Sequence, residues 1–162
     1  MHLLTQSFQS PENNKQLHDI TIIFWDSELN LLSDLSPYDV DITALKSHVR
    51  AVRFQGDLGE CTLIYSNSIL SSPITLLCVG IGKLNNESPV CIARAMHIAV
   101  KYCQKRDLTA YYCLYPKEHT SFDTAQWVEN VAYGCSMALY QYTDCRNKTK
   151  PAQVMSACTL CH

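Results

Sequence analysis

The stretch of this sequence that looks most like a chemical motif is Cys158-Thr-Leu-Cys161-His162. The C-x-x-C-H spacing is that of covalent haem attachment, and cysteines at this spacing also occur in zinc sites. Haem attachment requires export, yet residues 1–10 contain neither the basic region nor the long apolar run of a secretory signal. Zinc requires four ligands and a turn around the cysteines, whereas residues 154–160 have strand composition, and strand residues three apart face opposite ways. We therefore predict a buried strand here.

A second candidate is Gly80-Ile-Gly82-Lys83, which lies between a predicted strand and a predicted helix. Phosphate-binding loops occupy that position. A dinucleotide fingerprint needs a third glycine, but Asn85-Asn86 stands in that region, and a Walker loop needs Ser or Thr where Leu84 follows the lysine. The sequence favours a turn at the end of the strand, in which glycine relieves backbone strain.

No other set of side chains in the sequence forms a catalytic arrangement. A hydrolytic site needs a nucleophile with a base, or convergent metal ligands. The sequence contains no H-E-x-x-H pair and no G-x-S-x-G elbow, and His97 falls inside a predicted helix as a boundary residue. Asp39 and Asp41 flank a predicted helix start, where carboxylates interact favourably with the helix dipole. We therefore predict no catalytic, cofactor-binding or metal-ligating residue in this chain.

The nine cysteines mostly lie within apolar runs. Cys78, between Leu77 and Val79, is an example in which a free thiol behaves as a small hydrophobic side chain. Reduced core thiols and a start without a secretory signal predict a cytoplasmic protein. No apolar run approaches the ~18 residues of a membrane span, so we expect no membrane partner.

Charge is spread unevenly along the chain. The net charge of -2 lacks the excess of basic residues that nucleic-acid binding requires, so a nucleic-acid partner is not expected. Before residue 46, Lys15 stands alone against acidic residues, which we interpret as a solvated acidic face, with a docking surface for a basic partner as the alternative. The acidic residues are Glu12, Asp19, Asp26, Glu28, Asp34, Asp39 and Asp41.

Strands and helices alternate in the predicted order of elements. Strands are predicted at residues 2–8, 19–25, 60–66, 74–79, 109–115 and 154–160, and helices at residues 39–53, from Ser88-Pro89 to about 103, and at 122–142 capped by Thr120 or Ser121. This order is typical of a single α/β domain in which a mostly parallel sheet is covered by helices on both faces.

Three segments, in their order and spacing, resemble the N-terminal domain of leucine (cytosol) aminopeptidases. They are the Gly-x-x-Gly turn and strand of residues 55–65, the strand of residues 74–83 with the helix carrying Ala93-Arg94-Ala95, and the helix with Gly134 and Tyr140 before the connector at 148–151. The resemblance implies a macro-domain-like, three-layer α/β/α fold with a mixed, mostly parallel central sheet. It places that domain at residues 1–150 and the start of a connector or strand toward an absent catalytic domain at 151–162.

The resemblance also implies a parent enzyme. Such a parent is a two-metal exopeptidase of the cytosol, a homohexamer that removes N-terminal residues from peptides, with its zinc or manganese ligands in the C-terminal domain. The family signature Asn-Thr-Asp-Ala-Glu-Gly-Arg does not occur here, so no site residue is carried over. The implied partners are its own catalytic domain, sister subunits and, through the parent, peptide substrates.

A second hypothesis is a stand-alone macro-like module that binds ADP-ribose or a nucleotide. Macro-type readers carry Asn-Ala-Ala-Asn after an early strand, whereas Trp25-Asp-Ser-Glu-Leu-Asn30 follows it here.

Overall fold

The computed structural model describes residues 20–36, 38–66, 74–84, 89–108, 110–114 and 123–140, together with the backbone of 157–161. The elements in chain order are β1 (Ile20–Trp25), α1 (Ile42–Ala51), β2 (Cys61–Ser66), β3 (Ile74–Gly80), α2 (Val90–Gln104), β4 (Ala110–Leu114), α3 (Thr124–Leu139) and β5 (Ala157–Cys161). The strand predicted at residues 2–8 and the caps predicted at Ser88, Thr120 and Ser121 lie outside the described residues.

The five described strands form one sheet in the order β2-β3-β1-β4-β5. Four of the strands run parallel to one another: β3, β1, β4 and β5. β2 alone is antiparallel, and it pairs with β3. The prediction of a mixed, mostly parallel sheet is therefore confirmed. The strand predicted at 154–160 is present as β5, which pairs with β4.

Helices cover both faces of the sheet because β1 and β3 bury side chains on both sides. Phe24 of β1 and Leu77 of β3 join the core beneath α2 and α3, whereas their neighbours Ile23 and Cys78 join the core beneath α1. A nearly continuous apolar sequence is the consequence of such two-sided burial. The predicted three-layer α/β/α architecture is confirmed.

α1 and α3 are shorter than the apolar spacing predicted, whereas α2 agrees with the prediction. α1 begins after Asp41, whose Oδ1 accepts from the N–H groups of Thr43 and Ala44 at 2.9 and 3.0 Å. α3 begins at Thr124 after Asp123, which makes no capping hydrogen bond, and it ends before Tyr140, where the backbone becomes extended. Apolar periodicity marks the buried stripe of a helix, but its ends depend on local backbone geometry.

α2 and α3 pack closely on the same face of the sheet at Gly134. A Cβ at this position would lie 2.8 Å from Met96 Cβ and nearer still to the carbonyl oxygen of Ala93. Glycine is thus required by the close approach of the two helices, and His97 of α2 lies half-buried beside the same contact.

Candidate functional site

The carboxyl ends of the central strands carry the candidate site, because ligands of open α/β sheets bind at this edge. Three loops meet there: residues 26–30 after β1, residues 56–60 before β2, and residues 80–83 after β3. We call these three loops the glycine crest. Whether the crest can bind a ligand depends on where its backbone N–H groups point.

The loop before β2 is a tight turn joined to a β-bulge. The N–H of Glu60 donates to Asp57 O at 2.9 Å, with Gly59 at φ +83°, as a type II turn requires. Gly80 then faces two residues, since Gly59 N–H donates to Gly80 O and Gly80 N–H donates to Glu60 O, at 2.9 and 2.8 Å. The Gly-x-x-Gly segment therefore locks the start of β2 onto the end of β3.

Every N–H group from Gly80 to Gly82 already donates a hydrogen bond to a backbone carbonyl of a neighbouring segment. Gly80 donates to Glu60 O at 2.8 Å, Ile81 to Trp25 O at 2.9 Å and Gly82 to Gly56 O at 2.9 Å. A phosphate cradle needs several convergent N–H groups that are free to donate to the ligand. The loop thus provides no such cradle, and Gly82 at φ +80° supports the interpretation of a strand-end turn.

Asp26 holds the first loop of the crest together. Its Oδ1 accepts from the N–H groups of Glu28 and Asn30 at 2.9 and 2.8 Å, and its Oδ2 accepts from Asn30 Nδ2 at 2.8 Å. The next residue, Ser27, donates its N–H to Gly82 O at 3.0 Å. This buried carboxylate is committed to the loop and cannot approach a substrate as a base. The acidic stretch predicted a solvated side chain at Asp26, whereas this carboxylate is buried; the Asp-x-x-x-Asn spacing after a strand is the sequence signal for its role in the loop.

The thiols of Cys61, Cys78 and Cys103 are unsuited to nucleophilic catalysis or metal binding. Burial raises the pKa of Cys61 to about 12, with the nearby Cys103 adding to the effect. Burial likewise raises the pKa of Cys78 to about 12, although the Trp25 indole lowers it in part. Burial raises the pKa of Cys103 to about 11, although the charge of Arg106 lowers it in part. Because the thiolate is the reactive species, these thiols are inert near neutral pH. Cys61, Cys78 and Cys103 are free thiols that belong to the core or pack against it, as predicted.

The side chains present do not fit a two-metal centre. Among the described residues, no group of three or more His, Cys, Asp and Glu side chains is arranged to hold a metal ion. Cys158 and Cys161 of the C-x-x-C-H segment lie in strand β5, at the register positions of Tyr111 and Leu114. In such an extended backbone, residues three apart face opposite sides of the sheet. None of the helices in the described ranges has the length and apolar character needed to cross a membrane.

The family model of the N-terminal domain of the cytosol aminopeptidase family matches residues 23–149. The chain belongs to this family. The matched range includes the glycine crest, α2 and α3, which carried the resemblance in the sequence. No curated protein sequence matches the chain significantly.

Solved structures share the fold. A tomato leucine aminopeptidase mutant matches with a TM-score of 0.66 at 10% identity, over 99% of this chain and 32% of that chain. The bottromycin maturation enzyme BotP matches with a TM-score of 0.60 at 14% identity, over 89% of this chain and 27% of that chain. The same enzyme in complex with Mn matches with a TM-score of 0.58 at 15% identity, over 89% and 26%. The chain thus spans at most about a third of the length of these structures, and identities this low establish the fold alone.

Proposed function

We propose that this chain is the non-catalytic N-terminal domain of a cytoplasmic, metal-dependent leucyl aminopeptidase. In this proposal the parent enzyme removes N-terminal amino acids from peptides with two zinc or manganese ions bound in a separate catalytic domain. Residues 1–150 form the N-terminal domain, and residues 151–162 lead toward the catalytic domain. The observation that carries the proposal is the match of residues 23–149 to the N-terminal domain of the family.

Three features of the described residues support a role without catalysis. The N–H groups of residues 80–82 all donate to backbone carbonyls, the Asp26 carboxylate is committed to its loop, and the thiols of Cys61, Cys78 and Cys103 have raised pKa values. A catalytic site needs groups that are free to approach the reacting atoms. The chain is therefore expected to act through surfaces that contact the catalytic domain and sister subunits.

An exposed apolar stripe at the carboxyl end of α3 supports such contacts. Tyr133 and Met137 lie four residues apart on one face of α3 and are 60% and 46% exposed, and Tyr140, which directly follows the helix, is 68% exposed. Contiguous exposed apolar patches commonly mark sites of protein–protein interaction. We propose that this stripe contributes to assembly of the homohexamer and to shaping access to the active site.

Two experiments test the proposal. The isolated chain is incubated with leucine-p-nitroanilide and Mn²⁺ or Zn²⁺, and no hydrolysis above the metal-only rate is expected; metal-dependent turnover would show that this domain has its own site. The DNA downstream of codon 162 is also sequenced. An open reading frame with a two-metal aminopeptidase signature is expected, and a stop codon there would contradict the assignment to a longer enzyme.

The assembly role is tested in the full-length protein. Met137→Lys is compared with Gln126→Lys, which introduces the same charge at an exposed position of α3 away from the stripe. Sedimentation velocity is expected to show dissociation only for Met137→Lys. Two variants of equal size and equal kcat/KM would refute a role for the stripe.

The ADP-ribose or nucleotide module is the weaker candidate, because none of the N–H groups of residues 80–82 is free to bind a phosphate. Titration calorimetry of the chain with ADP-ribose is expected to show no saturable heat. Saturable binding would favour this module over the aminopeptidase domain.

A further inference from the structure

β2 has one edge that no described strand covers. It is the outermost strand on its side of the sheet, and it pairs with β3 without interruption from Cys61↔Val79 to Ser66↔Ile74. Natural edge strands are commonly protected by charged residues, proline or a bulge within the strand. Residues 61–66 contain no charge and no proline, and the bulge at Gly59 precedes them.

The register identifies the backbone groups that face outward from this edge. Gly80 exchanges hydrogen bonds with the start of β2, and in an antiparallel pair the bonded positions alternate. Thr62 and Ile64 therefore bond to Cys78 and Leu76 of β3, whereas the N–H and C=O groups of Cys61, Leu63 and Tyr65 point away from the sheet. These outward groups are spaced as an added strand would require.

α2 runs beside the same edge, on the face toward which Cys61 and Leu63 turn their side chains. A Cβ at Gly59 would collide with Cδ1 of Ile98. Tyr102 lies one turn further along α2 than Ile98. Burial raises the pKa of Tyr102; Arg106 lowers this pKa, and Cys61 and Tyr65 raise it further. Ile98 thus lies at the start of β2, Tyr102 packs against the same core as Cys61 and Leu63, and Tyr65 is 74% exposed.

The charge beside the edge is strongly positive. Residues 90–108 contain Arg94, Lys101, Lys105 and Arg106 with Asp107 as the single acidic residue. Arg106 stacks on the Tyr102 ring with Cζ 3.6 Å from the ring centroid, which holds one cation beside the edge. Glu60, at the start of the strand, accepts from Gln55 N–H at 2.8 Å and keeps its negative charge, so the cations of α2 outnumber the acidic side chains of Glu60 and Asp107.

We propose that the β2 edge binds an extended, acidic segment of a partner protein by strand addition. The outward N–H and C=O groups of Cys61, Leu63 and Tyr65 pair with its backbone, and the cations of α2 pair with carboxylates on alternate residues of the segment. Two copies of this chain joined through β2 would bring two cationic α2 helices together on one face, and their repulsion disfavours that occupant. The net charge of -2 likewise disfavours a nucleic acid.

The test uses a labelled, blocked peptide of about nine residues that alternates valine with glutamate, enough to span β2. Fluorescence anisotropy is expected to show saturable binding that weakens as salt is added. The same peptide with lysine in place of glutamate is expected not to bind. Methylation of the peptide N–H groups that face β2 is expected to weaken binding about thirtyfold, because two backbone hydrogen bonds are lost.

Protein variants test the cations without touching the strand. Arg94→Glu with Lys105→Glu is expected to weaken binding about tenfold, since each reversed charge replaces an attraction with a repulsion. The matched control reverses the same number of charges on α1, with Lys46→Glu and Arg50→Glu, and is expected to stay within about twofold of the unaltered chain, because α1 lies on the other face of the sheet. Equal weakening by both pairs would reduce the effect to net charge and overturn the proposed site.

Residue-resolved amide exchange supplies a control within β2 itself. The peptide is expected to slow exchange at Leu63 and Tyr65 and to leave Thr62 and Ile64, already bonded to β3, unchanged. Peptide binding without this alternating protection overturns strand addition. Protection that rises with protein concentration in the absence of peptide would make a second copy the occupant, and displacement of the peptide by oligothymidylate would make it a nucleic acid. Either result would also overturn the proposal.

Discussion

Replacing Gly80 with alanine tests whether the glycine crest is held together by close backbone contact. A Cβ at Gly80 would lie 2.6 Å from the carbonyl oxygen of Gly56 and nearer still to that of Asp57. The first distance is about 1 Å shorter than ordinary van der Waals contact, and both neighbours are backbone atoms that cannot rotate away. The loop before β2 must therefore move away from the end of β3.

The expected loss of stability follows from what that movement breaks. Overpacking of a tight site costs about 1–3 kcal/mol, and the bonds from Gly59 N–H to Gly80 O and from Gly80 N–H to Glu60 O contribute about 1 kcal/mol each. Reduced entropy of the unfolded chain offsets about 0.5 kcal/mol of this. Gly80→Ala is thus expected to lower the free energy of unfolding by about 2.5–4.5 kcal/mol. With a urea m-value of about 2 kcal/mol/M, the midpoint falls by roughly 1.3–2.3 M.

Gly82→Ala provides the matched control, because the two glycines differ in what alanine would meet. At Gly82 the nearest atom to a Cβ is Leu58 Cβ at 3.5 Å, an ordinary contact, but the backbone has φ +80°. Conformational strain alone then predicts a loss of about 1–2 kcal/mol. Urea denaturation followed by circular dichroism measures both variants. A loss below about 1 kcal/mol for Gly80→Ala, or a larger loss for Gly82→Ala, would refute the reasoning.

Three further variants test other parts of the fold. Gly134→Ala is expected to lower the free energy of unfolding by about 2 kcal/mol, measured by thermal melting, because a Cβ would meet the carbonyl oxygen of Ala93 across the α2–α3 contact. Asp26→Ala is expected to lower it by about 2 kcal/mol in urea, since the N–H groups of Glu28 and Asn30 lose a buried carboxylate as their acceptor. Burial raises the pKa of Cys78 from 9.0 to about 12, so its protonated form favours folding; stability is retained below pH 9 and falls as the pH rises toward 12. In urea titrations across that range, Cys78→Ala is expected to lose stability less steeply than the unaltered chain.

Each of these three predictions has an outcome that would contradict it. Ser136→Ala, at an exposed position on α3, is the control for Gly134 and is expected to change stability by less than about 0.5 kcal/mol; equal losses would deny the close helix contact. Asp34→Ala removes the acceptor of the Ser36 N–H in an exposed turn, and a loss as large as that of Asp26→Ala would show that burial is unimportant there. An unchanged pH slope in Cys78→Ala would assign the alkaline loss of stability to other groups.

Much of the architecture could be predicted because it depends on local chemistry. Residues 74–79 are apolar almost without interruption, which indicated a strand buried on both faces, and β3 is such a strand. Asp41 stands where a carboxylate caps a helix, and it does so. The spacing of the glycines, the strand end and α3 indicated the family, which the match over residues 23–149 shows.

The sequence predicts no functional site because it lacks the residue types that such a site needs. The structure adds the positions and directions of backbone groups, which residue types cannot show. Gly80-Ile-Gly82-Lys83 has the composition of a phosphate loop, and only the fold reveals that all three N–H groups from Gly80 to Gly82 donate to carbonyls of distant segments. The direction of β2, its place at the sheet edge and the outward face of Leu63 were likewise decided by tertiary structure. The physical reason is that a backbone hydrogen bond is nearly independent of the side chains on either strand. Sequence therefore determines which segments extend and which faces are buried, whereas only packing of the whole sheet decides which strand each N–H group meets.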